Sequence, residues 1–207
     1  MPSGIQFPCL RGLPAAVVAA TILCAAGGAA RAQENLLHGP HPFLADNELD
    51  AHVLVATGLG DAMSGAKLAV DYGYKLWGGA VPFGLDLALN VQHANCANNT
   101  AAVSCDGQTG TVFETLAGVK WKFATPIPLV PYFSAQAGLA YAFPNGADAA
   151  AGFMVRGVGG ANYFFFDWFG LGAQIGLSLG NIDYDSTFTG SHTYSVLDVG
   201  GGVELQF

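Results

Sequence analysis

The chain has 207 residues, of which 52% are hydrophobic and only 11% are charged, against roughly 25% charged residues in an ordinary soluble domain. Its formal net charge of −8, with seven Lys and Arg, leaves no basic surface for phosphates, so nucleic acid is excluded as a partner. Past residue 32 no stretch reaches the ~20 apolar residues of a spanning helix, which excludes a helical membrane protein.

The first 32 residues have the pattern of a secretory signal peptide. Arg11 precedes an apolar run over residues 13–26, and a small-x-small pattern ending at Ala32 matches a signal peptidase site. We therefore expect residues 1–32 to be removed by a cut after Ala32. An uncleaved anchor helix is the alternative, but the apolar run is short and is broken by Pro14.

We expect a short periplasmic lead segment over residues 33–47. After it, apolar and polar residues alternate with a period of two along most of the chain. Apolar and polar residues alternate most clearly over 66–77 and 83–92, where a helix would mix the two sets. The alternation therefore predicts eight strands, one on each of eight segments. These are residues 49–59, 66–77, 83–92, 113–123, 132–143, 152–163, 171–179 and 195–207.

The breaks between these strands alternate in character along the chain. Four are rich in polar and small residues, and three of the four are long: 60–65, 94–110, 144–151 and 180–192. The three intervening breaks are shorter and rich in Pro or aromatic residues: 78–82, 124–131 and 164–170. Short turns on one rim and longer loops on the other are typical of membrane barrels. We predict an all-β fold, a closed eight-stranded antiparallel up-and-down transmembrane β-barrel over residues 48–207.

Two cysteines remain once the signal peptide is removed, Cys96 and Cys105. An exported chain meets an oxidising compartment, so an even pair of thiols predicts a disulfide that closes a small loop. Their spacing is not CxxC, and no His or Cys cluster accompanies them. We therefore expect no metal site and no cofactor.

Alternation alone does not tell which face of the barrel meets lipid, because a soluble lipocalin-like barrel has the same period. The five Lys and Arg of the mature chain all occupy the polar positions of strands, and none lies in a loop. This placement favours a lumen in which cations pair with carboxylates while the apolar face contacts lipid. The predicted lumen charge network consists of Asp50, Lys67, Asp71, Lys75, Asp86, Glu114, Lys120, Lys122, Arg156, Asp198 and Glu204.

Aromatic residues gather near the strand ends, as an interfacial girdle requires. The last residues alternate apolar positions up to a terminal aromatic, with Val203, Leu205 and Phe207 on the predicted lipid face. They resemble the C-terminal signature by which the barrel assembly machinery recognises outer-membrane barrels. From Glu48 onward the chain is similar to the small OmpA- and OmpX-type barrels. The resemblance implies a bacterial outer-membrane location, contact with its lipid and lipopolysaccharide, assembly by that machinery, and a monomer.

An eight-stranded barrel is barely wide enough for its own side chains, so we expect a structural or surface-interaction role. Inward glycines leave a second hypothesis open, a narrow gated path for ions or small solutes. They otherwise let the strands curve and leave space for Lys and Arg. The glycines are Gly118, Gly138, Gly160, Gly172, Gly176, Gly200 and Gly202.

A lipid-A-modifying enzyme is the least favoured alternative. Its candidate residues are Ser191, His192 and Asp183 or Asp185 in the last loop, with His93 and Asp106 near the same rim. Adjacent strand residues point to opposite faces, so Ser191 and His192 do not form a dyad by adjacency alone. The His-x-Ser pattern of the lipid A deacylase family is absent. We therefore expect no catalytic residues.

Overall fold

The computed structural model describes residues 45–59, 64–77, 82–95, 109–123, 125, 127–145, 149–183 and 191–207. Its strands are β1 (Asn47–Gly58), β2 (Ser64–Trp77), β3 (Phe83–Asn95), β4 (Thr109–Lys122), β5 (Leu129–Pro144), β6 (Ala150–Phe166), β7 (Phe169–Asp183) and β8 (Ser191–Gln206). Each strand pairs antiparallel with its neighbours in sequence, and β8 pairs with β1. The predicted closed eight-stranded barrel is confirmed. Within the described ranges, no helix is long and apolar enough to cross a membrane.

The strands extend further than the alternation predicted. They contain from 12 to 17 residues, whereas about 9–11 tilted residues cross the apolar layer of a bilayer. At the predicted break over 164–170, β6 and β7 leave only Asp167 and Trp168 as the turn. Three consecutive phenylalanines hid the period there, because both faces of the strand are aromatic at its end.

The polar loops are also shorter than the sequence predicted. The predicted loop over 180–192 is shortened from both sides, since β7 runs to Asp183 and β8 begins at Ser191. Likewise β3 ends at Asn95 and β4 begins at Thr109. The backbone ladder needs no apolar side chains, so strand ends beyond the apolar belt do not show in a pattern of alternating hydrophobicity.

Some predictions fall on residues that the structure does not describe. The signal peptide over 1–32 and the disulfide between Cys96 and Cys105 both lie outside the described residues. Of the lead segment over 33–47, the last three residues are described, and Asn47 already belongs to β1.

The two faces of the barrel differ sharply in polarity. Every Asp, Glu, Lys and Arg whose side chain is described within a strand is buried, with the exception of Lys75. On the outer face, Leu85, Leu87 and Leu89 are 45%, 50% and 60% exposed. The predicted inside-out orientation is therefore confirmed. A protein surface in hydrocarbon must be apolar, and its backbone N–H and C=O groups must all be paired. A closed sheet with an apolar exterior meets both conditions.

Candidate functional site

The lumen holds two groups of buried ionic side chains. The first, which we call the loop-end cluster, consists of Lys67, Glu114, Arg156 and Asp198 and lies nearer the long loops. Lys67 Nζ is 2.8 Å from Glu114 Oε2 and 3.3 Å from Asp198 Oδ2. Arg156 Nη2 donates to Asp198 Oδ1 at 2.8 Å. Two cations face two carboxylates, so this cluster is balanced in charge.

The second group, the turn-end cluster, lies nearer the short turns, where β1 begins and β4 and β8 end. Its members are Glu48, Asp50, Asp71, Asp86, Lys120, Lys122 and Glu204. Lys120 Nζ is 2.9 Å from Glu48 Oε1 and 2.6 Å from Asp50 Oδ2. Lys122 Nζ pairs with Glu48 and with Glu204. Five carboxyl groups therefore face two ammonium groups, and full ionisation would leave the cluster strongly negative.

Neutral donors stabilise the carboxyl groups of the turn-end cluster without adding charge. Gln136 Nε2 donates to Asp86 Oδ2 at 2.7 Å and to Asp71 Oδ1 at 3.2 Å. Asn162 Nδ2 donates to Glu204. A hydrogen bond to a charged group contributes about 1.5–3 kcal/mol, so these amides offset part of the desolvation cost. They do not replace the missing counter-charge.

Some of the inward glycines give their space to neighbouring lumen side chains, and others lie against the backbone of the adjacent strand. A Cβ at Gly172 would collide with the amide of Asn162. A Cβ at Gly160 would lie 2.5 Å from Cζ of Tyr132, whose hydroxyl donates to Gln174 Oε1 at 2.9 Å. Large polar side chains therefore occupy the room that these glycines leave, which favours close packing over a hydrated passage.

A group of apolar side chains, the apolar cap, lies in the lumen between the loop-end cluster and the ends of the strands that carry the long loops. We define this cap as Val112, Met154, Ile182, Tyr194 and Val196, all of which are buried in one contiguous group. The Tyr194 hydroxyl extends from the cap to donate a 2.9 Å hydrogen bond to Gln92 Oε1. A water-filled column through the described barrel would have to displace this group.

The structure brings ten of the eleven residues of the predicted lumen charge network into the two clusters. The eleventh, Lys75, lies apart at the short-turn end of β2, with its Nζ 2.6 Å from Asp46 Oδ1. Both side chains are accessible there, at 28% and 66% exposure. Sequence reasoning missed Glu48, which contacts both lysines of the turn-end cluster. Its position two residues before Asp50, on the same face of the strand, was the available signal.

The residues considered for lipid A modification are only partly described. The backbone register of β7 and β8 pairs Ser191 with Asp183 and His192 with Ile182. Asp106 and Asp185 lie outside the described residues. Among the side chains that are described, no three His, Cys, Asp or Glu form a group suited to a metal ion.

Comparison with known proteins gives structural likeness without sequence relatives. No protein-family model matches the chain, and no curated protein does. Among solved structures, Neisserial surface protein A is similar at 16% identity and a TM-score of 0.52, covering 78% of this chain and 96% of that chain. The outer membrane enzyme PagL is similar at 12% identity and a TM-score of 0.46, covering 77% and 99%. The attachment invasion locus protein Ail of Yersinia pestis is similar at 11% identity and a TM-score of 0.45, covering 77% and 96%.

At these identities the likeness concerns the fold alone. The closed strand order, the apolar exterior and the ionic lumen described above agree with it. The chain therefore has the fold of the small eight-stranded outer-membrane barrels, of which Neisserial surface protein A is one.

Proposed function

We propose that the chain is a bacterial outer-membrane protein with a structural or surface-interaction role. In this proposal a cleavable signal peptide, cut after Ala32, directs its export. The outward face of the strands supports the membrane location, because it carries large apolar side chains such as Val53, Phe153 and Ile175. An apolar exterior of this kind is stable in lipid and is costly in water.

The burial of the lumen side chains is the observation that carries the proposed role. The charged side chains of both ionic clusters are at most 5% exposed, and the apolar cap covers the loop-end cluster. A solute that crossed the barrel would have to separate several buried ion pairs, and breaking one buried pair costs about 3–5 kcal/mol. The lumen therefore serves to hold the barrel rigid, and any activity belongs to its outer surface and rims.

The proposed partners follow from that outer surface. The lipid face contacts outer-membrane lipid and lipopolysaccharide, and the segment with Val203, Leu205 and Phe207 contacts the barrel assembly machinery during biogenesis. The outer aromatic residues support the lipid contact, since Tyr163 and Phe165 pack edge to face with ring centroids 5.1 Å apart near a strand end. The protein acts as a monomer in this proposal, and it has no catalytic activity.

Planar-bilayer recording of the refolded protein tests the role of the lumen. We expect no conductance above the lipid background, because water could pass the described part of the barrel only if the buried ion pairs and the apolar cap moved apart. A porin recorded under the same conditions shows that the bilayer supports channels. Insertion is checked separately by the shift in gel mobility between unboiled and boiled samples. Discrete conductance steps from folded protein would instead favour the gated pore.

A further inference from the structure

Acidic residues face one another across three adjacent strands in the turn-end cluster. Asp50 on β1 lies directly opposite Asp71 on β2, and it also lies directly opposite Glu204 on β8. Like charges directly opposite one another destabilise a sheet. The cost of taking each ion out of water is several kcal/mol even after relaxation. Three carboxylates in one row therefore require neutralisation beyond ordinary hydrogen bonding.

The neighbouring charges do not supply enough of it. The titratable and charged groups around the row are Glu48 and His52 from β1, Asp86 from β3, Lys120 and Lys122 from β4, Tyr132 from β5, Arg156 from β6 and Asp198 from β8. Among the described residues, the guanidinium of Arg156 donates through Nη2 to Asp198 of the loop-end cluster, and its Nε and Nη1 reach no carboxyl group of the row. Of the side chains that the structure describes, two ammonium groups are left for the five carboxyl groups, and both belong to β4.

The hydrogen-bonding pattern shows that donors are scarce in this cluster. Three buried oxygens have no hydrogen-bond partner among the described residues, namely Asp50 Oδ1, Asp86 Oδ1 and Gln136 Oε1, although Lys120 Nζ is 3.7 Å from Asp86 Oδ1. The amide of Gln136 uses its nitrogen for both Asp71 and Asp86, so its free oxygen remains as one more acceptor inside the cluster. A buried acceptor without a donor costs about 1–3 kcal/mol. The turn-end cluster therefore has fewer hydrogen-bond donors than its buried oxygens need.

A proton accounts for these observations better than a metal ion. In the described part of the chain no three acidic, His or Cys side chains converge on one point as metal ligands. A proton needs only two oxygens, and adjacent carboxyl groups share one readily, because both cannot ionise cheaply at short range. The unused oxygens of Asp50 and Asp86 are acceptors for such a donor.

We propose that the turn-end cluster is a proton-binding site, in which at least one carboxyl group of the Asp71–Asp50–Glu204 row stays protonated in the folded barrel at neutral pH. The proton comes from solvent as the barrel forms, and it donates to a neighbouring carboxylate oxygen. On unfolding, the exposed carboxyl group ionises and returns the proton to solvent. The folded chain thus binds more protons than the unfolded chain.

Infrared spectroscopy of the barrel in lipid vesicles tests the proposal directly. The wild-type protein at neutral pH is expected to show the C=O stretch of a protonated carboxylic acid, which a carboxylate lacks. The variant Asp71→Asn removes one acidic group that lies in no described ion pair but keeps the hydrogen bond to Gln136, so the band should lose about one carboxyl equivalent. Glu114→Gln is the control, because it removes a carboxyl group from the charge-balanced loop-end cluster and should leave the band unchanged.

Stability provides a second readout with a defined sign. Since the folded state holds the extra proton, the free energy of unfolding should fall as the buffer changes from mildly acidic to mildly alkaline. The decline should be shallower in Asp71→Asn than in the wild type. If the wild-type protein shows no protonated carboxyl band over this range, the proposal is wrong, whether or not the variants fold. A band that appears only after sodium and calcium are removed would also overturn it, because a metal ion would then supply the charge.

Discussion

Leu89→Arg is expected to lower the free energy of unfolding in lipid by about 2–4 kcal/mol, the cost of a cation at the bilayer midplane on the lipid face of a barrel. Leu89 lies in the middle of β3 and its side chain is 60% exposed on the outer face. The arginine would therefore meet acyl chains and not water. Urea unfolding in phospholipid vesicles, followed by tryptophan fluorescence, measures the change.

His93→Arg is the matched control on the same strand and the same face. His93 is exposed near the loop end of β3, where a cation reaches the interface, so the expected cost is about 0–1 kcal/mol. Equal costs at Leu89 and His93 would contradict the depth that the barrel assigns to them. A negligible cost at Leu89 would mean that this position faces water.

Lys67→Met is expected to lower the free energy of unfolding by about 3–5 kcal/mol, the range for removing one partner of a buried ion pair. Lys67 is 1% exposed, and its ammonium group contacts Glu114 and Asp198. Its loss leaves Glu114 buried without a cation. The same unfolding titration in vesicles provides the measurement.

Two further variants separate loss of charge from loss of packing. Lys75→Met changes the other lysine of β2, which pairs with Asp46 at an accessible rim, and should cost no more than about 1 kcal/mol. The double variant Lys67→Met with Glu114→Gln removes the uncompensated carboxylate, so it should recover most of the stability lost in the single variant. A double variant as unstable as Lys67→Met alone would argue against the ion-pair explanation.

Much of the fold follows from the sequence because a barrel wall imposes one simple rule on each strand. The run from Phe83 to Gln92 places its large apolar residues at every second position, and its leucines lie outside as expected. Where the alternation of apolar and polar residues is weaker, the predicted strand bounds are less accurate. The three phenylalanines that end β6 make both faces of the strand apolar there. At the end of β7, Gly180–Asp183 contains a single apolar side chain, that of Ile182, so no alternation is visible.

The composition of the lumen was predictable, but its division into two clusters was not. Whether a residue takes an odd or an even position along its strand decides if it points inward. Its position along the barrel axis depends on the register between strands that are distant in sequence. The row formed by Asp71, Asp50 and Glu204 joins β2, β1 and β8, and only the closure of β8 onto β1 completes it. Lys75 has inward parity, yet its place at the end of β2 puts it beside Asp46 and outside the clusters.

The inside-out arrangement of the barrel is best tested by methyl NMR of the protein in bilayer discs that contain a lipid with a spin label on its acyl chain. The methyl signals of Leu85, Leu87 and Leu89 should broaden strongly, because these side chains are exposed on the outer face. Those of Leu54 and Leu116, which are buried in the lumen, should stay sharp. Broadening of the second pair with sharp signals from the first three would mean that the two faces of the barrel are reversed.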